Sequence, residues 1–275
     1  MAHGQQTGYT VPMAKVISVG LAAIFLVAGP ARADPDFAVV ADLTFAAPVI
    51  VKARIARAER RPNRDSPGLA AGHARLLVTA AVDSAIVAPS GVPAELSWLW
   101  DAPLDVRGKL EKRKNLVVLA WVGVPDRDGK TRLVAPNAQQ PWTASLDAIV
   151  RGIATEQKSG SVPIISGVAS GFRANGTVSG ESESQFFLNA ADGQGATLVV
   201  TTRPGMPRRI TVARGDVIDE SAIAVQTGTL LWYRLACALP AELPATAGAA
   251  DAALAADWRA AIVSLGPCQR RPAPG

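Results

Sequence analysis

The segment Pro48–Glu59, PVIVKARIARAE, carries a strand signal that sets the fold class of the chain. Alternate residues after the proline fall on two sides of an extended backbone: Val49, Val51, Ala53 and Ile55 on one, Ile50, Lys52, Arg54 and Ala56 on the other. One side is wholly apolar and the other is mixed, which is the period-two pattern of a half-buried strand. We therefore predict a β-strand that begins after Pro48.

Further strands and one helix follow in the first half of the chain. The runs ARLLVTAAVDSAIV (74–87), ELSWLW (95–100), NLVVLAWVGV (115–124) and RLVA (132–135) read as strands between turn-forming segments. The run PWTASLDAIVRGIAT (141–155) changes to helical spacing, with Thr143 as a candidate N-cap. The first half is therefore predicted to be a small β-structure closed by a helix.

The second half is rich in short strands and ends in a helix. Strands are predicted in PIISGVA (163–169), SQFFLNA (184–190), ATLVVTTR (196–203), RRITVA (208–213) and TLLWYRLACAL (229–239), separated by Gly-rich turns. Near the end, a helical stripe is formed by Leu254, Trp258, Ile262 and Leu265. Gly266-Pro267 is expected to end that helix.

Together these patterns predict a mainly β protein of two domains. Residues 34–154 are expected to form a small β-domain with a closing helix, and residues 162–275 a β-sandwich-like domain with a C-terminal helix. The polar stretch 155–161 has the composition of a linker.

The N-terminal residues have the pattern of a secretory signal. Lys15 precedes an apolar run from Val16 to Ala28, and Ala31-Arg32-Ala33 fits the small-x-small cleavage rule. We expect cleavage after Ala33, so that the mature chain begins at Asp34 and is periplasmic or secreted. The alternative is an uncleaved anchor, but the apolar run is shorter than the roughly 20 residues that span a bilayer. No later run has that length, so no transmembrane anchor is expected after cleavage.

The two cysteines, Cys237 and Cys268, are expected to form a structural disulfide. An exported chain meets an oxidising compartment, and the pair has no Cys-x-x-Cys spacing. Two buried thiols and a redox pair are the competing interpretations. Closing a loop of about 30 residues stabilises a fold by roughly 3 to 4 kcal/mol in the chain-entropy model.

Charge argues against a nucleic-acid partner. Removing 33 of the 275 residues leaves 242 and takes away Lys15 and Arg32, so the mature chain has only three more basic than acidic residues. A strong electrostatic footprint needs basic residues concentrated on one face. The chain has basic clusters at 52–64 and 107–114, but they contain no aromatic residue for base stacking.

The first half resembles the netrin-like, TIMP-like version of the OB-fold. The resemblance covers Val40 to Ala154 and rests on the order of VIVKARIARAE, the following strand pair, NLVVLAWV and the closing helix. It implies an OB-like β-barrel with a closing helix for residues 34–154. Inhibitors of that family bind a protease metal through an N-terminal cysteine. Because this chain has no cysteine before Cys237, metalloprotease inhibition is not implied.

Four residues are candidates for binding: Lys52, Arg54, Trp98 and Trp100. The OB resemblance implies that the two cations border the sheet face where such folds bind oligonucleotides or oligosaccharides. The two tryptophans share a strand face and could form a stacking platform. The competing interpretations are a solvated surface for the cations and a core position for the tryptophans beside Leu96.

No complete catalytic motif is present. His73 is the only histidine after Ala33, so a histidine metal cluster is excluded, and no Gly-x-Ser-x-Gly elbow occurs. Glu181 and Glu183 would lie on one side of a strand, about 6.6 Å apart along it, which is compatible with paired-carboxylate chemistry. Neither a cofactor nor a metal is expected, and no catalytic residue is assigned.

The sequence thus favours an exported, non-enzymatic protein with a binding or structural role in the cell envelope. Its partner is expected to be a protein or a glycan of the envelope. The alternative function is a carboxylate-dependent hydrolase acting on envelope or carbohydrate substrates.

Overall fold

The computed structural model describes residues 1, 34–191, 193, 195–214 and 222–271. The predicted signal peptide and Ala33 lie outside the described residues, apart from Met1. In chain order the elements are α1 Phe37–Ala46, β1 Val49–Arg60, β2 His73–Val87, β3 Glu95–Pro103, β4 Val117–Val122, β5 Gln139–Pro141, α2 Ala144–Ser159, β6 Ile165–Asn175, β7 Ser182–Ala190, β8 Ala196–Thr202, β9 Arg209–Arg214, β10 Ile223–Ala224, α3 Leu230–Ala236 and α4 Ala252–Leu265. The mainly β fold with a C-terminal helix is confirmed.

The first sheet is a curled half-barrel with strand order β3-β2-β1-β4-β5. The predicted strand after Pro48 is β1, which pairs antiparallel with both β2 and β4. Residues 49, 51, 53 and 55 pack inside the curl against β2, β3 and β4, as their alternation indicates. The other face of β1, represented by Ile50, packs on α1 and α2.

The second sheet has strand order β10-β9-β8-β7-β6, and every neighbouring pair is antiparallel. Where the sequence predicts a β-sandwich-like domain, the layer that packs against this sheet is helical. Helices α3 and α4 cover a core that includes Phe186, Leu198 and Trp258. The Trp258 ring stands edge-on to Phe186, with their centroids 5.0 Å apart.

Several predicted elements differ from the structure. The strand predicted in TLLWYRLACAL is wrong, because Leu230–Ala236 is the helix α3, which begins after the N-cap Thr229. The segment 132–135 does not form a strand. Its Leu133 pairs with Val122 in an isolated antiparallel bridge. Residues 155–159, predicted as part of a linker, are instead the last part of α2. Separate folding of the two halves stays a prediction.

Helix α1 was not expected from the sequence, and it joins the two halves. Its Phe37 ring lies edge-on to Trp232 of α3, with centroids 6.2 Å apart, and its Phe45 ring lies 5.7 Å from Tyr233. Five of its residues are 4% exposed or less: Ala38, Val40, Ala41, Leu43 and Thr44. This helix is therefore part of the core that both halves share.

Candidate functional site

The four predicted binding residues do not form one surface. On β1, Lys52 and Arg54 belong to the face that packs on the helices or meets solvent. On β3, Trp98 and Trp100 belong to the face inside the curl. The sheet itself separates the two pairs, so a single ligand cannot contact all four side chains at once.

The two cations make contacts on the helix side of the sheet. The Lys52 Nζ lies 3.8 Å from the centre of the Trp142 ring, a cation–π contact at the start of α2. The Arg54 guanidinium lies 3.4 Å from Asp83 of the neighbouring strand, and both side chains are partly exposed. These positions agree with a solvated surface rather than a convergent site.

The two tryptophans do not form an open stacking platform. Trp98 is 1% exposed, and its Nε1 donates a 2.8 Å hydrogen bond to the Gln139 side chain. The Trp100 ring is covered by the Arg113 guanidinium at 4.9 Å. Arg113 comes from the predicted basic cluster at 107–114 but turns inward, where its side chain is 7% exposed and pairs with Glu111. The core interpretation of Trp98 is therefore the one that fits.

The expected disulfide joins Cys237 and Cys268, with their Cα atoms 5.1 Å apart. Cys237 caps the C-terminus of α3, and Cys268 follows the Gly266-Pro267 end of α4. The bond therefore connects the C-terminal ends of two helices. The sequence predicted a strand that contains Cys237, and the structure has the helix α3 there instead.

The residues after the disulfide bind the start of the described chain. The Asp36 carboxylate accepts hydrogen bonds from the Arg271 backbone and guanidinium, which lower the pKa of Asp36. Arg270 Nε lies 2.6 Å from Asp42 Oδ2. The N-terminal segment is therefore held by the segment that Cys268 anchors.

Asp42 also organises Tyr233 on α3. The Tyr233 hydroxyl donates a 2.6 Å hydrogen bond to Asp42 Oδ1. Burial of the phenol is the larger cause and this hydrogen bond the second, and together they raise the pKa of Tyr233 to about 12. Because the pair sits at the junction of α1, α3 and the C-terminal segment, it is best explained as a structural contact.

One cleft of the first half lies between α1, α2 and the end of β2. We call it the helix groove; it has a volume of about 720 Å³ and is lined by Thr44, Phe45, Ala47, Ile86, Val87, Ala88, Pro89, Arg151, Ala154, Thr155, Gln157 and Lys158. That volume lies within the usual range for ligand sites. The Phe45 ring forms part of its wall. The Arg234 guanidinium contacts this ring and lies 4.4 Å from the ring centre.

A second cleft shares the lining residue Pro89 with the helix groove. We call it the loop pocket; it has a volume of about 440 Å³ and is lined by Pro48, Val49, Pro89, Ser90, Gly91, Val92, Pro93, Val124, Pro125, Asp126 and Arg127. Val124 at its edge is 72% exposed. The four prolines fix φ along the walls, so the pocket is largely formed before any ligand arrives.

Sequence reasoning missed both clefts because their linings come from elements far apart in the chain. Phe45 lies on a helix that the sequence did not reveal, Ile86 lies at a strand end, and Lys158 lies in the assumed linker. One available signal was the set of prolines that follow predicted strands, at Pro89, Pro93 and Pro125.

The carboxylates singled out in the sequence line a third cleft. This cleft of about 300 Å³ lies at the β6–β7 turn and includes Glu181, Glu183 and Arg203. The Glu183 carboxylate accepts a 2.7 Å hydrogen bond from Gln185. His73 is elsewhere, at the start of β2, where its Nδ1 lies 3.0 Å from the Ala71 carbonyl oxygen.

Neither a metal-ligand cluster nor a membrane-spanning helix occurs in the part of the chain that the structure describes. There, no group of three or more His, Cys, Asp or Glu side chains has the arrangement of a metal site. Within the same residues, no helix has the length and apolar character needed to cross a membrane.

No family model, no curated protein and no solved structure matches the chain. The function must therefore be argued from the geometry of the clefts.

Proposed function

We propose that the protein is an exported binding protein of the cell envelope, periplasmic or secreted, which holds a partner rather than catalysing a reaction. The observation that carries the proposal is the pair of clefts that meet at Pro89. Their walls combine rigid prolines with apolar side chains and a few cations, which is the composition of a preformed recognition surface.

Three aspartates whose carboxylates are held by arginine side chains support a binding role. The Asp101 carboxylate is held by the Arg75 guanidinium at 2.7 Å, and that hydrogen bond lowers the pKa of Asp101. Asp147 is held by Arg151, which lowers its pKa in the same way. Asp257 is enclosed by Ser184 and two arginines. Such paired carboxylates act as structural contacts.

The disulfide supports export. Cysteines remain reduced in most cytosolic proteins, whereas disulfides persist in the periplasm and outside the cell. The Asp34 side chain accepts a hydrogen bond from Thr143 Oγ1 at 3.1 Å, so the predicted first residue of the mature chain contacts the start of α2. Protein isolated from the native envelope is expected to begin at Asp34 on N-terminal sequencing, and a full-length cytoplasmic chain would contradict export.

A crosslinking experiment tests the binding role without assuming the partner's chemistry. The photo-crosslinker p-benzoylphenylalanine is placed at Val124, at the edge of the loop pocket, in cells that export the protein. Illumination is expected to give an adduct of higher mass. The matched control carries the crosslinker at Val263 of α4, which is 80% exposed and lines neither cleft. Equal adducts at both positions, or none at Val124, would contradict the proposal.

We also propose that the first half is an OB-like domain. It is supported by a curled, five-stranded antiparallel sheet that is followed by α2. Metalloprotease inhibition is not proposed, since the chain has no cysteine before Cys237.

A carboxylate-dependent hydrolase is the second candidate, because Glu181 and Glu183 line one cleft together with Arg203. The test is turnover of purified envelope glycan by the wild-type protein and by Glu181→Gln and Glu183→Gln. Glycan cleavage that both substitutions abolish would favour this candidate over the binding protein.

A further inference from the structure

We infer that the helix groove and the loop pocket together bind an extended, acidic segment of a partner protein. This inference rests on the proposed function and names the chemistry of the partner. It follows from the charge, the shape and the hydrogen-bonding capacity of the two clefts.

The charge of the combined surface is positive. Arg151 and Lys158 line the helix groove, and Arg127 lines the loop pocket. Among the described residues, no carboxylate forms an ion pair with Lys158 or Arg127, whereas Arg151 is shared with Asp147. Such cations are available to the carboxylates of a partner.

The one acid in the lining does not cancel this charge. Asp126 Oδ1 accepts hydrogen bonds from the backbone N–H groups of Asp128 and Lys130, at 2.9 and 2.8 Å. The carboxylate is therefore committed to its own turn. The two linings together contain three cations and one carboxylate, a formal charge of +2 whose excess lies in the helix groove, so an acidic ligand is complementary to the combined surface.

The shape suits an extended chain. The clefts are two separate hollows that meet at Pro89. An extended peptide rises about 3.3 Å per residue and presents every second side chain to the surface, so that both hollows and the cations in their linings can be reached by apolar and acidic side chains on one face of the same peptide. An α-helix, about 10 Å across with its side chains, would need one continuous trough.

The lining argues against a glycan. Sugar recognition needs many hydrogen-bonding groups around an exposed aromatic face, and the only aromatic residue of the two clefts is Phe45. Arg234 covers one side of that ring. The remaining walls are mainly proline, valine, isoleucine and alanine, which contact apolar side chains but cannot bind hydroxyl groups.

The test selects ligands without presupposing a sequence. Random peptides of about twelve residues, which extend over roughly 40 Å, are displayed and selected against the mature protein with its disulfide intact. Selected peptides are expected to combine acidic with apolar or proline residues. Their affinities are then measured by fluorescence anisotropy for the wild type, for Arg127→Glu with Lys158→Glu, and for a control double variant, Arg107→Glu with Lys114→Glu.

The groove variant is expected to weaken binding by about tenfold or more, because each reversal replaces attraction by repulsion. The control makes the same charge change at exposed residues outside both clefts and should change affinity less than twofold. Added salt should weaken binding to the wild type, since exposed charges are screened. Circular dichroism and melting temperature of both variants establish that each is folded.

Three results would overturn the inference: a selected consensus without acidic residues, equal affinities of the two variants, or binding of purified envelope glycan that only the groove variant loses. Each of these is compatible with a crosslinked adduct at Val124. Failure of the acidic-peptide inference is therefore distinguishable from failure of the proposed binding function.

Discussion

The Ser184 hydroxyl donates a 2.7 Å hydrogen bond to the Asp257 carboxylate, across the interface between the second sheet and α4. Ser184 is 0% exposed and Asp257 is 4% exposed. The Nε atoms of Arg173 and Arg208 lie 3.3 and 3.4 Å from the same carboxylate. The interface thus contains a buried anion that is neutralised by two cations and one hydroxyl.

Removing this anion is expected to be costly. Asp257→Ala leaves Arg173 and Ser184 without their partner and should lower the free energy of unfolding by about 3 kcal/mol, whereas Ser184→Ala should lower it by about 1 kcal/mol. Urea denaturation followed by circular dichroism measures both changes. Glu242→Ala is the control, because its ion pair with Arg259 is exposed and should be worth less than about 1 kcal/mol. Equal effects at positions 257 and 242 would contradict the structural role.

The disulfide should contribute through the loop that it closes. Cys237 and Cys268 are 31 positions apart, and Cys268→Ser should lower the free energy of unfolding by about 3 kcal/mol. Cys237→Ser should have a matching effect, because either substitution removes the same bond. Denatured, unreduced wild-type protein should show no free thiol with a thiol-reactive dye; two titratable thiols in freshly isolated protein would refute the bond.

Tyr233 should make stability fall at alkaline pH. Its pKa is about 12 in the folded protein and about 10 in an unfolded chain. Below pH 10 the phenol is protonated in both states, so it contributes no pH dependence there. Between pH 10 and 12 the unfolded chain releases the proton more readily, so unfolding becomes more favourable as the pH rises.

The comparison with Tyr233→Phe isolates this effect from other groups that titrate in the same range. The difference in unfolding free energy between wild type and variant should be constant below pH 10 and should shrink towards pH 12. A difference that stays constant throughout would show that Tyr233 does not titrate as described.

Thr143 should stabilise α2 as its N-cap. Its Oγ1 accepts a 3.0 Å hydrogen bond from the Leu146 N–H and donates to Asp34. Thr143→Ala should lower the free energy of unfolding by about 1 kcal/mol, whereas Thr143→Ser should retain most of that stability. Thermal melts of the two variants provide the measurement, and identical melting temperatures would argue against a capping role.

Several of the elements that the sequence predicted correctly have one apolar face and one polar face. Strand β1 alternates with period two, and α2 and α4 have stripes at helical spacing, so each pattern reveals which side is buried. In α4 the buried residues include Leu254, Trp258 and Leu265 of the predicted stripe. Local periodicity is sufficient wherever burial is one-sided.

The two missed helices are apolar on most sides, and periodicity does not identify such segments. Helix α1 contributes a contiguous run of buried residues from Ala38 to Ala41. In α3, Leu230, Leu231, Trp232 and Leu235 are all buried, so a strand and a helix fit the sequence equally well. The Thr229 side chain, which accepts from the Trp232 N–H, was the one local indication of a helix start.

The candidate site could not be predicted because it depends on α1 and on the ends of β2 and α2. The cations expected to bind, Lys52 and Arg54, were chosen from one strand, whereas Arg127 and Lys158 come from a turn and a helix end. Such a set is brought together only by the tertiary fold.

The pairing of Asp36 with Arg271 has a mechanical consequence. The Asp36 N–H donates to the Arg271 carbonyl at 3.1 Å, so the first and the last described segments of the folded chain are adjacent. A pulling force applied to these segments meets the Asp36–Arg271 contact first and the Asp42–Arg270 ion pair next. These contacts would open one at a time under a small load, and further extension on the C-terminal side would stop at the covalent bond between Cys237 and Cys268. A tether at this edge would therefore open the outer contacts first, whereas α4, which lies within the loop closed by the disulfide, would be bypassed by the load.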